Sequence, residues 1–544
     1  MSSEPSTHLE RGKACTPCRR RKMKCDGNKP HCNQCIRSNR VAECEFSEVS
    51  VPSTARLLEQ HIAKLQTRIQ ELEQDDPEAV RLHDPRVFFN QPQAAPSQQG
   101  QDWWAMPEPP VQLAGEFVGR FFSFSFAIGF FMDKSRFLTT FFNPTVSKPR
   151  PPFVLRNAIY LWGIYASPDE QCKARYPLFL DRTLRSIHIA LSALQPRDIL
   201  SVLQAEILLA YFFFHNGRLA EGKFYSDAAV SLSIICSLHK IRAPQGYNLA
   251  ATHQDMVDDT STFIAPVKSA AEEGERIHAW WTVFVLDKCW VIALGSPSII
   301  VEVRENAATW IETQWPMTLE EYEQPQGFGV NPGRTIQSFL DGLLAGNNGQ
   351  DSSRLATIAK AAALYEHANR HATLWKTDIT ARQGDFMRLD SCVERFKQTL
   401  PTLVHSQNPS HEVLHSLLLV YTLSQCATIQ LHVRFVRQNS TSRSRCLAAA
   451  NAVVRFAQTL PIQQLKFVNP IMAVLYSSTA DVILDGLRSL RSMRSAWASS
   501  AALPGDDVLE ATLGQLIAVT EHFATNSPIM STQLEKIRQS QTDA

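Results

Sequence analysis

Residues 15–44 read Cys15-Thr16-Pro17-Cys18-Arg19-Arg20-Arg21-Lys22-Met23-Lys24-Cys25-Asp26-Gly27-Asn28-Lys29-Pro30-His31-Cys32-Asn33-Gln34-Cys35-Ile36-Arg37-Ser38-Asn39-Arg40-Val41-Ala42-Glu43-Cys44. Six of the chain's 12 cysteines fall here, as a close pair, a loop and a single cysteine, then a second pair, loop and single. Thiolates at pair spacing reach one tetrahedral zinc with bonds of about 2.3 Å, and a structural zinc takes roughly four ligands. Six sulfurs overfill one ion and underfill two separate ones, so two of them must serve both metals. The repeat makes Cys15 and Cys32, which open its two halves, the symmetric choice. The pattern therefore predicts a two-zinc cluster held by Cys15, Cys18, Cys25, Cys32, Cys35 and Cys44. A disulfide framework belongs to an oxidising compartment, and Met1–Glu10 is polar, with no apolar stretch of the secretory kind. A redox dithiol needs one close pair in a thioredoxin-like setting, which this stretch lacks. The other six cysteines stand singly in apolar sequence and read as small buried hydrophobes.

Charge is concentrated on the same module. Residues 10–46 carry ten Lys and Arg against four Asp and Glu, while the whole chain has a formal charge of only +1. Two zinc ions with six thiolates contribute about −2, so the patch stays positive. A basic module on a near-neutral chain is the footprint of a nucleic-acid binder. Arg19, Arg20, Arg21, Lys22 and Lys24 are the candidate contacts. Most such side chains bind phosphate without reading sequence; reading needs a side chain at a base edge, most often Lys or Arg on guanine O6/N7. A solvated basic face serving nuclear import alone is the plainer reading of the run.

The stretch resembles the DNA-binding domain of the fungal Zn2Cys6 (zinc binuclear cluster) transcription factors. The likeness lies in the cysteine spacing, the basic run, Asp26-Gly27 after Cys25, and Pro30 two residues before Cys32. It implies a binuclear zinc centre with bridging sulfurs and a first helix that enters the major groove. It also implies a CGG-type half-site and a base-contacting lysine at the fourth position after the second cysteine, which is Lys22, with Arg21 beside it.

Residues 47–54 read as a linker broken by Pro52. Leu58, Ile62, Leu65, Ile69 and Leu72 then follow at alternating steps of four and three. This heptad rhythm, Leu at d and Ile at a, favours a parallel two-stranded coil, with Arg68 and Glu73 placed for a cross-strand attraction. Asp75-Asp76-Pro77 ends it. The expectation is a dimerisation helix over 55–74; an amphipathic helix packed on the chain's own body is the alternative. Residues 75–110 are rich in Pro, Gln, Ala and Ser and read as a disordered linker. Within it Trp103-Trp104 and the flanking acids Asp102 and Glu108 stand out, and they are expected to dock on the following domain rather than serve as a coactivator motif.

Residues 111–544 are apolar, aromatic and helical in rhythm, in a chain 44% hydrophobic, which suffices for a large core. Glu206 and Asp287-Lys288 break the longest apolar runs, so no membrane span is predicted. Several stretches resemble the middle homology (regulatory) region of fungal transcription factors. These are Ser237-Leu238-His239-Lys240, Glu275–Lys288 with its Trp280-Trp281 and Leu286-Asp287-Lys288, Gly295-Ser296-Pro297, Phe396–Pro401 and Tyr421–His432. No phosphate loop, His-Glu-x-x-His or Gly-x-Ser-x-Gly occurs. His239, His278 and His432 read as structural histidines, Asp287 as a helix-packing anchor, and Phe121–Phe142 as core or the lining of an effector pocket.

The predicted fold is mostly α. A cluster module (11–46), linker (47–54), coiled-coil helix (55–74) and disordered linker (75–110) precede an all-α regulatory domain (111–544). The predicted function is that of a nuclear, zinc-dependent, sequence-specific transcription regulator of RNA polymerase II genes, not an enzyme. It binds paired CGG-type half-sites of double-stranded DNA as a homodimer; coactivator or corepressor and small-molecule effector stay open. The alternative is a regulator whose zinc module binds protein rather than DNA.

Overall fold

The computed structural model describes residues 13–46, 102–145, 149–241, 263–302, 306–323, 335–342, 353–374, 379–401, 409–496 and 506–542, together with Ala63 and Gln66. The chain divides into two compact units, residues 1–101 and 102–544.

In the first unit two single-turn helices, α1 (Thr16–Arg20) and α2 (Asn33–Arg37), precede a 3-10 turn at Val41–Glu43. The predicted coiled-coil positions Leu58, Ile62, Leu65, Ile69 and Leu72 lie outside the described residues, as does the Pro/Gln-rich stretch to Gln101; Ala63 and Gln66 are helical.

The second unit is helical, with no strand among the described residues. Its longer helices are α3 (Val111–Phe122), α4 (Lys134–Phe142), α5 (Phe153–Tyr165), α6 (Tyr176–Ser192), α7 (Ile199–His215), α8 (Leu219–Ile235) and α9 (Ala270–Leu294). They continue with α10 (Arg354–Leu374), α11 (Ile379–Thr399), α12 (His411–His432), α13 (Ser440–Thr459), α14 (Ile471–Ala496), α15 (Asp506–Ala524) and α16 (Pro528–Thr542). Packing follows chain order: α3 on α5, α5 on α6 and α7, then α7, α8, α9, α10, α12 and α13 in succession, with α14 closing against α12, α15 and α16. Helices with apolar residues on every side must be enclosed by others. In α7 every residue but Leu200 is buried, and Phe214 stacks on Trp290 of α9 at 3.6 Å. Helix α9 and residues 411–435 are long and apolar enough to cross a membrane, yet 78% of each apolar window lies inside the body. They are core helices.

Glycine sets one of these approaches. A Cβ on Gly163 of α5 would stand 2.3 Å from the carbonyl oxygen of Phe117, so α3 and α5 meet backbone to backbone. Side-chain caps start the helices: Asp133 accepts from the Arg136 amide, Ser269 from Glu272, Ser410 from Val413, and Asn439 from Thr441 and Ser442. Each satisfies a donor the helix leaves free.

The ordered body begins before the boundary read from composition. Residues 102–110 pack on it, because Trp103 lies against Phe117 and Phe179 at 5.5 and 6.0 Å. Arg175 covers Trp104 at 3.9 Å. Glu108 then takes Arg150 (3.0 Å), Arg156 and the Tyr160 hydroxyl (2.8 Å). The two tryptophans and Glu108 dock on the chain's own body, as their prominence in a polar stretch leads one to expect.

The polar residues of α9 act as fasteners. His278 Nε2 meets the Met317 carbonyl at 2.7 Å, and Trp281 donates to the Gln314 carbonyl at 2.7 Å. Lys288 donates to Ser298 Oγ (2.7 Å) and the Ile300 carbonyl, while Ser298 donates to Asp287. Gly295 ends α9 at φ 61°, a left-handed conformation that favours glycine, and the loop after it is pinned by Asp287 and Lys288. His239 reaches the Ala308 carbonyl (3.3 Å), and His432 bridges Ser442 (3.1 Å) and Asp390 (3.2 Å). All three histidines hold packing together.

Candidate metal centre

The six cysteines 15, 18, 25, 32, 35 and 44 are all buried, and among the buried hydrophobic residues they form a cluster of their own. Among the described residues the module has no apolar interior beyond them, with only Ala14 and Phe46 packed alongside. Its fold must come from the sulfurs.

The internal repeat recurs bond for bond at the 17-residue offset between Cys15 and Cys32. Cys15 and Cys32 precede α1 and α2 in the same extended backbone conformation. Arg19 and Ile36 amides bond to the Cys15 and Cys32 carbonyls (3.0 and 3.1 Å), and Met23 and Arg40 amides to the Cys18 and Cys35 carbonyls (3.0 and 2.9 Å). Each helix then turns through a left-handed residue, Lys22 at φ 56° and Asn39 at φ 52°. Cross-links join the halves. Asp26 accepts from the Asn33 amide at 3.0 Å at the start of α2, and the Thr16 amide and hydroxyl both reach the Glu45 carbonyl, at 2.9 and 3.1 Å. Asp26-Gly27 thus has a local cause: Asp26 ties the first loop to the second helix, and Gly27 supplies φ 74°.

The sulfurs fit zinc. Four zinc–sulfur bonds of 2.3 Å give a tetrahedron with edges of about 3.8 Å. The Sγ–Sγ distances are 3.6 Å for Cys15–Cys32, 3.7 Å for Cys15–Cys35 and Cys18–Cys32, and 3.9 Å for Cys18–Cys35, Cys15–Cys25 and Cys32–Cys44. Cys25 approaches Cys15, and Cys44 approaches Cys32. Burial pushes the Cys35 thiol up to about 12 and Cys15 higher still. At Cys32 burial opposes the thiolate, but the Cys35 amide and the neighbouring thiols outweigh it and bring the group to about 6. Thiolates this crowded need cations among them, and ligation by zinc supplies that charge.

Arg19, Arg20, Arg21, Lys22 and Lys24 are all exposed around the end of α1. Arg19 turns back to the Ala14 carbonyl at 3.1 Å. No carboxylate among the described residues pairs with Lys22 or Lys24.

Comparison with known families decides what this geometry belongs to. Residues 13–52 match the Fungal Zn(2)-Cys(6) binuclear cluster domain, and residues 118–328 the Fungal specific transcription factor domain. The chain carries both domains of the fungal Zn2Cys6 transcription factors. Its cluster domain is of the kind that binds two zinc ions through six cysteines. It is similar to the transcription regulator galc of Aspergillus niger, at 34% identity over 93 residues, 16% of this chain and 11% of that protein. It is also similar to an uncharacterized transcriptional regulatory protein of Saccharomyces cerevisiae, at 62% identity over 34 residues, 6% of this chain and 5% of that one. The chain thus spans about a tenth or less of the length of these curated relatives. No solved structure matches it. These matches support a fungal transcription regulator.

The sequence reading missed the left-handed backbone at Lys22, since lysine carries no signal for it. It singled out Glu108 beside the two tryptophans but not its partners, which lie 42 to 52 residues away.

Proposed function

We propose that this protein is a zinc-dependent, sequence-specific DNA-binding regulator of RNA polymerase II genes that acts in the nucleus. Cys15, Cys18, Cys25, Cys32, Cys35 and Cys44 would hold two zinc ions, with Cys15 and Cys32 shared between them as the repeat leads one to expect. The zinc supplies the folding free energy that the module's own core lacks. Helix α1 enters the major groove, Lys22 donates to guanine O6/N7 of a CGG-type triplet, and Arg19, Arg20, Arg21 and Lys24 bind phosphate or assist. Leu58, Ile62, Leu65, Ile69 and Leu72 pair two chains, so that two triplets are read together. The stretch 45–54, about ten residues, spans at most roughly 33 Å per arm, which bounds the triplet spacing. Both matched families are transcription families, which favours a regulator over an enzyme.

One observation carries the reading. Lys22 is held at φ 56°, where a non-glycine side chain costs on the order of 1 kcal/mol or more, and its amine has no carboxylate partner among the described residues. Backbone strain that exposes an unpaired cation at the end of a zinc-fixed helix suits a base reader. The test is selection of bound duplexes from a random library by the full chain, with and without a zinc chelator. Zinc-dependent enrichment of paired CGG-type triplets is expected. A single triplet would remove the dimer. No enrichment by a zinc-loaded, folded chain would transfer the module to protein binding.

A further inference from the structure

The helical body contains a cleft of about 880 Å3, within the range of small-molecule sites. Its walls come from opposite ends of the unit. Arg120 of α3 and Phe124 just beyond it, with Tyr165 at the end of α5 and Lys173 after it, face the loop Leu465–Phe467 and the turn between α15 and α16. Phe124 stacks on Phe467 at 4.2 Å with an interplanar angle of 21°, so a ring pair joins the two walls.

The polar lining is unequal in sign. Arg120, Lys173 and Lys466 line the cleft against a single carboxylate, Glu170. Glu170 is 83% exposed and already lies 3.6 Å from Lys173. Arg120 is steadied by Ser167 Oγ at 3.3 Å and by Glu116 at 2.9 Å. Lys466 has no carboxylate partner among the described residues. Behind the rings, His415 lies 5.3 Å from Phe126, and His215 lies 6.0 Å from Phe467. Each keeps one buried ring nitrogen without a hydrogen-bond partner. Burial holds both neutral, so the positive charge of the cleft sits on Arg120, Lys173 and Lys466.

An excess of cations calls for an anion, and stacked rings call for a planar apolar body. We propose that this cleft binds an aromatic carboxylate, with its ring against Phe467, the partly exposed member of the stacked pair, and its carboxylate between Arg120 and Lys466. Such a ligand ties the first helices of the body to the last. The site stands independently of which DNA the cluster reads.

The test uses the full, zinc-loaded chain with phenylacetate and indole-3-acetate as probes. Phenylacetamide serves as the uncharged isostere and inorganic phosphate as charge without a ring. Calorimetry gives affinity, and amide hydrogen exchange gives location. The aromatic acids are expected to bind and to slow exchange over residues 120–126 and 464–467, with phenylacetamide weaker by about tenfold. Lys466→Glu, at an exposed position, is expected to weaken the acids by about tenfold while leaving the unliganded melting temperature in place. Equal binding of the amide, equal protection by phosphate, protection elsewhere, unchanged affinity in Lys466→Glu, or no binding of either acid at millimolar concentration would each overturn the proposal.

Discussion

Lys22 offers an experiment in which stability and recognition move in opposite directions. Its backbone sits at φ 56°, and the residue at the matching place in the second half is Asn39 at φ 52°. Asparagine tolerates this region, whereas a lysine there costs roughly 1–2 kcal/mol. Lys22→Gly removes that cost but gives back about 0.5–1 kcal/mol in the entropy of the unfolded chain. The net effect is a zinc-loaded module of equal stability or up to about 1.5 kcal/mol greater. Lys22→Ala keeps the left-handed strain and removes the amine alone. Both variants lose the proposed base contact, at about 1–3 kcal/mol, or roughly 5- to 150-fold in affinity for the preferred triplet. Because that contact distinguishes bases, the loss should fall on the preferred site and leave non-specific binding nearly intact. Chelator competition measures the stability of the zinc-loaded module, and titration against single-base variants of the selected duplex at fixed salt measures the preference. Two results would refute the reasoning: a module clearly destabilised by Lys22→Gly, or an unchanged base preference in Lys22→Ala.

Cys15→Ala and Cys32→Ala each remove a sulfur assigned to both metals, so zinc content by elemental analysis should fall below two per chain and the module should unfold; a stoichiometry that stays at two sinks the bridging assignment. Glu108→Gln strands the buried Arg156, 7% exposed, and should lower the stability of the body by about 2 kcal/mol at neutral pH in denaturant unfolding. Burial opposes ionisation of Glu108, but Arg156 and Tyr160 outweigh it and hold the carboxyl below its usual range. Its contribution is therefore complete above the unfolded value of about 4.3 and disappears as pH falls through the lower folded value, so the gap between parent and variant should close in acid. A gap that widens on acidification would contradict that sign.

The sequence by itself determined the cluster, because metal ligation is local. Six sulfurs within 30 residues reach two ions only at certain spacings, and a 17-residue repeat puts the ligands proposed as shared first in each half. It determined the helical class as well, since the apolar rhythm of stretches such as Ile199–His215 admits burial only among other helices. Asp287 was legible as an anchor, though not its partner Ser298. Tertiary structure alone decided where the body begins, because Trp103, Trp104 and Glu108 find their partners on helices far along the chain. It alone set the left-handed turn at Lys22, which follows from the hydrogen bonds after α1 and from no preference of lysine. It alone assembled the cleft, whose rings Phe124 and Phe467 stand more than 300 residues apart in sequence. Periodicity reports which face of a helix is buried; which distant face meets it depends on the packing of the whole body.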